Sequence, residues 1–126
     1  MSLPRHLLSV ALACLPALGL CADWPQQAVT IVMTFPAGSG VDVVARTVQD
    51  PLARQLGQPV VIDYKPGAAG NIASEWVSRA KPDGYTLVFG TAATHGSNAA
   101  LYKKLSFDVE NDFSFSCIQN AYFCLL

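Results

Sequence analysis

Ser39, Asp42, Thr91, Thr94, His95 and Ser97 are the side chains best suited to chemistry in this chain, and each stands among small residues. They belong to a set of short, glycine-rich segments. The first is Phe35-Pro36-Ala37-Gly38-Ser39-Gly40, with Asp42 just beyond it. The second is Lys65-Pro66-Gly67-Ala68-Ala69-Gly70-Asn71. The third is Gly90-Thr91-Ala92-Ala93-Thr94-His95-Gly96-Ser97-Asn98. Bond-breaking chemistry needs constellations that these segments lack. A nucleophile elbow keeps one residue between the serine and each glycine, and Gly38-Ser39-Gly40 does not. A dinucleotide fingerprint needs a third glycine where Val43 stands, and no Gly-Lys-Ser/Thr is present for a phosphate loop. No two carboxylates share a segment. Asp42 alone fits stabilisation of a helix's first turn better than general-base work. His95 has no evident acid to orient it, so a hydrogen-bonding role in its loop is expected. The residues point to binding, with no catalytic residue and no cofactor.

A glycine-rich turn at the start of a helix presents unpaired backbone N–H groups and a positive dipole end, which together attract an anion. Ser39, Thr91, Thr94 and Ser97 add hydroxyls to such a cradle. Any one of these turns serves equally well as a plain strand-to-helix connection. Three of them at one edge of a sheet make a ligand site.

The elements that must position them follow from the apolar pattern. Three β-branched runs, Ala28–Phe35, Val60–Tyr64 and Thr86–Gly90, read as strands. Val41, Val44, Ala45, Val48, Leu52 and Leu56 recur with helical period, opposite Arg46, Gln49, Arg54 and Gln55. Pro51 should kink that helix, and Gly57 ends it. A shorter helix covers about Asn71 to Ala80 and closes at Lys81-Pro82-Asp83-Gly84. Strand, helix, strand, helix, strand is a βαβαβ arrangement, so the fold class is α/β with a parallel sheet. The unbroken Val60-Val61-Ile62 suits a strand buried on both faces. In such a sheet the three segments share the carboxyl edge, where ligands bind.

The N-terminus reads as a secretory signal peptide. Arg5 precedes an uncharged apolar run from Leu7 to Leu20, too short to span a bilayer, and Ala22 precedes the polar Asp23. Cleavage after about Ala22 would release an exported mature chain. Cys21 as a lipidation site is disfavoured by Leu20, which stands where a small residue normally precedes such a cysteine. The 126 residues carry 8 basic and 9 acidic side chains, a formal charge of −1, and removal of Arg5 makes it −2. That balance excludes a nucleic-acid partner. Cys14 and Cys21 leave with the leader, and Cys117 and Cys124 allow one disulfide. No Cys-x-x-Cys pair or nearby histidine marks a metal site.

The ordered motifs resemble the tripartite tricarboxylate transporter receptors, the TctC-like or Bordetella uptake gene (Bug) family. The resemblance begins at Trp24-Pro25 and Val29-Thr30-Ile31-Val32 and continues through Phe35-Pro36-Ala37-Gly38-Ser39-Gly40 to Arg46. It resumes at Leu56-Gly57-Gln58-Pro59-Val60-Val61, Pro66-Gly67-Ala68-Ala69-Gly70-Asn71-Ile72 and Pro82-Asp83-Gly84-Tyr85-Thr86-Leu87. Gly90-Thr91, Thr94-His95, Asn98, Leu101-Tyr102-Lys103-Lys104-Leu105, Phe107-Asp108 and Asp112-Phe113 complete it. It implies a two-lobed Venus-flytrap periplasmic-binding-protein fold that passes a small carboxylate to membrane permease subunits. It implies a carboxylate held by backbone amides and water at Phe35, Pro36, Ala37, Gly38, Ser39, Gly40 and Asp42, at Gly67, Ala68, Ala69, Gly70 and Asn71, and at Thr91, Ala92, Thr94 and His95. Val41 stands where many relatives carry Thr.

After Phe113 the resemblance stops, and residues 114–126 read as a non-family tail of a truncated N-terminal lobe. Three strands then leave one sheet edge uncovered. The apolar stretch Ala121 to Leu126 is expected to worsen solubility rather than complete the core. Two other readings stand beside the receptor: a non-functional truncated gene product, and an exported serine hydrolase fragment using Ser39 or Ser97 with His95.

Overall fold

Val29–Met33 is apolar at nearly every position because it forms a central strand, β1, packed on both faces. The computed structural model describes residues 24–114, 116–117 and 123–125. The expected leader, with Cys14 and Cys21, lies outside the described residues. After β1 come α1 (Gly40–Leu56), β2 (Val60–Tyr64), a short turn (Ala68–Gly70) and α2 (Asn71–Ser78). β3 (Thr86–Thr91), a π turn (Ala93–Ser97), α3 (Asn98–Leu101), β4 (Ser116–Cys117) and β5 (Phe123–Leu125) follow.

The sheet order is β2-β1-β3-β5-β4. β1 runs parallel to β2, with Ile31 opposite Ile62, and parallel to β3, with Ile31 opposite Leu87. The chain thus steps from β1 to one side and returns across it to the other. Right-handed crossovers in opposite directions put the two helices on opposite faces. Ile31, Met33, Val60 and Phe89 accordingly pack with Ala45, Val44 and Leu52 of α1, whereas Val32 and Val88 pack with Ala73 and Val77 of α2.

Two expectations need correction. β2 is not buried on both faces, since it is an edge strand with Val61 47% exposed; Pro51 for its part lies inside one continuous α1, Gly40 to Leu56. Pro51 is exposed, so the carbonyl it leaves without a donor faces water. The outer edge of β3 is not open. β5 pairs antiparallel with it, Phe89 opposite Leu125 and Thr91 opposite Phe123, and β4 pairs with β5, Cys117 opposite Cys124. Residues of the tail supply those ladder partners. Among the described residues, no helix is long and apolar enough to cross a membrane.

Candidate functional site

All three glycine-rich segments leave the carboxyl ends of parallel strands, and the direction of travel reverses between β1 and β3. That reversal is the switch point at which open α/β sheets bind ligands. Each loop is held by a different device.

The first loop is fastened by a carboxylate. Ser39 caps α1, its Oγ accepting from Asp42 N–H at 3.3 Å. Asp42, only 4% exposed, reaches back and accepts from Gly38 N–H at 2.8 Å. It also accepts from the Tyr64 hydroxyl at 2.6 Å and from Arg46 Nε at 3.1 Å. Arg46 donates in turn to the Tyr64 oxygen at 2.6 Å. The Gly38 N–H first, then Tyr64 and Arg46, hold the Asp42 carboxyl below its usual range against the opposing effect of burial. Asp42 is therefore committed to the fold of its own loop. The loop tip is open, since a Cβ added at Gly38 meets nothing within 4 Å. Gly38 is needed there for its φ of +83°.

The second loop is wound left-handed. Gly67, Ala68, Ala69 and Gly70 have φ of 135°, 47°, 54° and 90°. For the two alanines this costs about 1–2 kcal/mol each. Such strain persists only where the surroundings over-determine it, and it concentrates at ligand sites. Gly70 N–H bonds to Gly67 O at 2.8 Å, and Asn98 Nδ2 donates to Ala69 O at 3.1 Å. Gly70 is buried, and a Cβ there would lie 2.3 Å from Thr94 Cγ2 and 3.1 Å from Thr34 Cβ. The second and third loops meet at this glycine, against Thr34 at the end of β1.

The third loop turns about Thr94, which is fully buried. Its Oγ1 accepts from Thr91 N–H at 2.9 Å, donates to Thr91 O at 3.1 Å and lies 2.8 Å from His95 Nδ1. His95 makes an edge-on contact with Phe113, ring centres 5.0 Å apart, and a tilted one with Phe107 at 6.4 Å. Its Nε2 is buried without a partner among the described residues, and burial lowers its pKa to about 4. The imidazole therefore stays neutral at physiological pH.

The sequence-derived residues thus separate. Gly70, Asn71, Ala69 and Thr94 come together, with Ala68 and Gly67 in the same turn. Phe35, Pro36, Ala37, Gly38, Ser39 and Gly40 form the open first loop, and Thr91 and Ala92 begin the third. Asp42 and His95 turn into their own supports. Sequence reasoning assigned no role to Thr34, Arg46, Tyr64 or Asn98. Asn98 meets Ala69 across 29 positions, and no local pattern encodes that. A groove of about 890 Å³ touches the third loop at His95 and Gly96 but is lined otherwise by residues 99–112, so it is not the space the loops share. Among the described residues, no group of His, Cys, Asp and Glu is placed to hold a metal ion.

Comparison with known proteins agrees with the α/β fold. The family model described as tripartite tricarboxylate transporter family receptor matches residues 44–126, and so runs through the segment after Phe113. A UPF0065 protein of Bordetella bronchiseptica is 43% identical over 89 residues, covering 71% of this chain and 27% of that protein. MatC from Rhodopseudomonas palustris, solved with bound malate, superposes with a TM-score of 0.68 at 40% identity over 73% of this chain and 31% of MatC. A second R. palustris protein, solved with adipate, gives 0.67 at 38% identity over 70% and 29%. The chain spans under a third of the length of each of these relatives.

Proposed function

The chain belongs to the tripartite tricarboxylate transporter receptor family, and from that premise we propose that residues 23–113 form the ligand-holding part of a first receptor lobe. Receptors of this family are periplasmic, and residues 1–22 act as the export signal, cleaved after about Ala22. The ligand is a small carboxylate, and the captured solute passes to the permease subunits of a tripartite transporter. The family is one of binding proteins rather than enzymes.

One observation carries the reading: the second and third loops meet at Gly70 against Thr34, which leads from β1 into the first loop, on the β1/β3 switch point. Their free donors are backbone groups. The first-turn N–H groups of Gly40 and Val41 have no partner within α1 by helix geometry. Ala68 and Ala69 present successive N–H groups from a left-handed turn, a concave arrangement that suits an anion. Asp42 and His95 serve as supports. A neutral donor set of this kind takes a carboxylate through hydrogen bonds alone, while the buried Asp42 charge is already paired with Arg46.

Calorimetry on the exported chain tests the proposal, with malate and adipate, the ligands of the two structural neighbours, and with a diamine of similar length as control. Heat from a dicarboxylate and none from the diamine is the expected outcome. Equal response to both, or to the diamine alone, refutes an anion cradle.

A further inference from the structure

Asn98 is 3% exposed and begins α3 immediately after the π turn of the third loop. Its own N–H bonds to Ala93 O, closing that turn. Its side-chain amide crosses to the second loop, where Nδ2 donates to Ala69 O at 3.1 Å and to Asn71 Oδ1 at 2.7 Å. Both amide hydrogens are therefore used. Because a backbone carbonyl only accepts, the contact with Ala69 fixes which way the amide faces. Asn98 belongs to neither apolar cluster of the sheet.

What it grips is the uphill part of the molecule. Ala68 and Ala69 sit at φ of 47° and 54°, a region unfavourable to any residue with a Cβ. Relaxation of either residue would swing the Ala68 and Ala69 N–H groups away from their shared direction. We propose that Asn98 is a positioning residue: it holds the second loop in its anion-accepting, left-handed form and locks it to the third loop, so that the two act as one surface. The proposal rests on the carboxylate-receptor reading above. It also predicts a dependence on strain. If the amide works by holding an unfavourable backbone, removing the strain should make the amide dispensable.

The test uses the full chain with Asn98→Ala and with Asn98→Asp, which keeps the shape but sets acceptors against the Ala69 carbonyl. Amide exchange is read at Gly70 and Asn71, whose N–H groups close the turn, and at β1 and β3. Malate and adipate are titrated in parallel. Both variants should exchange at Gly70 and Asn71 about tenfold faster and bind the carboxylate about tenfold more weakly, as for loss of one or two net hydrogen bonds. Protection in β1 and β3 should be unchanged. Adding Ala69→Gly to Asn98→Ala, which removes the Cβ penalty, should recover most of both losses.

Unchanged exchange at Gly70 and Asn71 overturns the proposal. So does equal loss of protection throughout β1 and β3, or a double variant no better than Asn98→Ala, since either makes Asn98 a residue of the fold alone. Loosening of the loop with unaltered carboxylate affinity removes the positioning role and leaves the receptor reading intact. Loosening and rescue as stated, in a wild-type chain that binds neither dicarboxylate, supports the clamp and removes the carboxylate.

Discussion

Glycines 38 and 70 look alike in the sequence, yet the structure gives them different work. Gly70 has φ +90° and lies where a Cβ would strike Thr94 and Thr34; Gly38 has φ +83° and open space around it. Gly70→Ala therefore combines backbone strain with overpacking and should cost about 2–4 kcal/mol, whereas Gly38→Ala should cost only about 1 kcal/mol of backbone strain. Chemical denaturation of both variants checks the order, and equal losses would mean that the loops do not meet at Gly70. A second residue-scale prediction concerns acid. The folded state holds His95 down at about 4, below its ordinary 6.5, so the unfolded chain binds the proton first. Stability contributed by neutral His95 is complete above about pH 6.5 and falls as pH drops toward 4. Asp42 is also depressed, and its contribution is present above its ordinary value of 3.8 and is lost only at lower pH. Melting temperature should decline in two separate windows, and His95→Gln should flatten the upper one while leaving the lower.

Among the elements, α1 shows how a local signal becomes a functional position. Ser39 sets its start by bonding Asp42 N–H, and the same residue carries the first loop into the site. Ser39→Ala should cost about 1 kcal/mol as a lost cap, measurable by denaturation. Labelling by a serine-reactive probe should be absent in the parent as well as the variant. The strands and α1 were readable because β-branched runs and a 3.6-residue period are local properties of the chain. The three loops were readable as a group because each glycine cluster directly follows a strand. The devices inside them were not. Nothing in Ala68-Ala69 announces left-handed backbone, which alanine adopts only when tertiary contacts compel it. Asp42 and His95 drew attention as polar residues in or beside loops, but Tyr64 and the two phenylalanines that claim them lie elsewhere in the chain; only Arg46 is local, one turn along α1 from Asp42. β5 is three residues long and acquires strand geometry by pairing with β3, so no periodic signal was available to find it.

At the scale of the molecule, the site depends on how the sheet is closed beside it. β3 carries the third loop, and its residues Val88, Phe89 and Gly90 are buried. One side of β3 is paired to β1; the other is paired to β5 through Phe89, Gly90 and Thr91, directly below the loop. Without β5 those outer backbone groups would form an exposed edge next to an apolar core, the arrangement that recruits another chain. The apolar residues near the C-terminus thus have two opposed effects: they are a solubility burden when free and edge cover when paired. Pairing should win, because it gives the outer N–H and C=O groups of β3 ladder partners and closes an edge that would otherwise recruit another chain. Deleting residues 115–126 should therefore lower stability on the order of 2 kcal/mol, about 8–16 °C in melting temperature for a domain of this size. It should also make association depend on protein concentration. Thermal unfolding and analytical ultracentrifugation of the two chains side by side measure both effects. A shortened chain that stays monomeric and melts no lower would show that β3 is the natural border of the sheet and that the third loop is anchored from the β1 side alone.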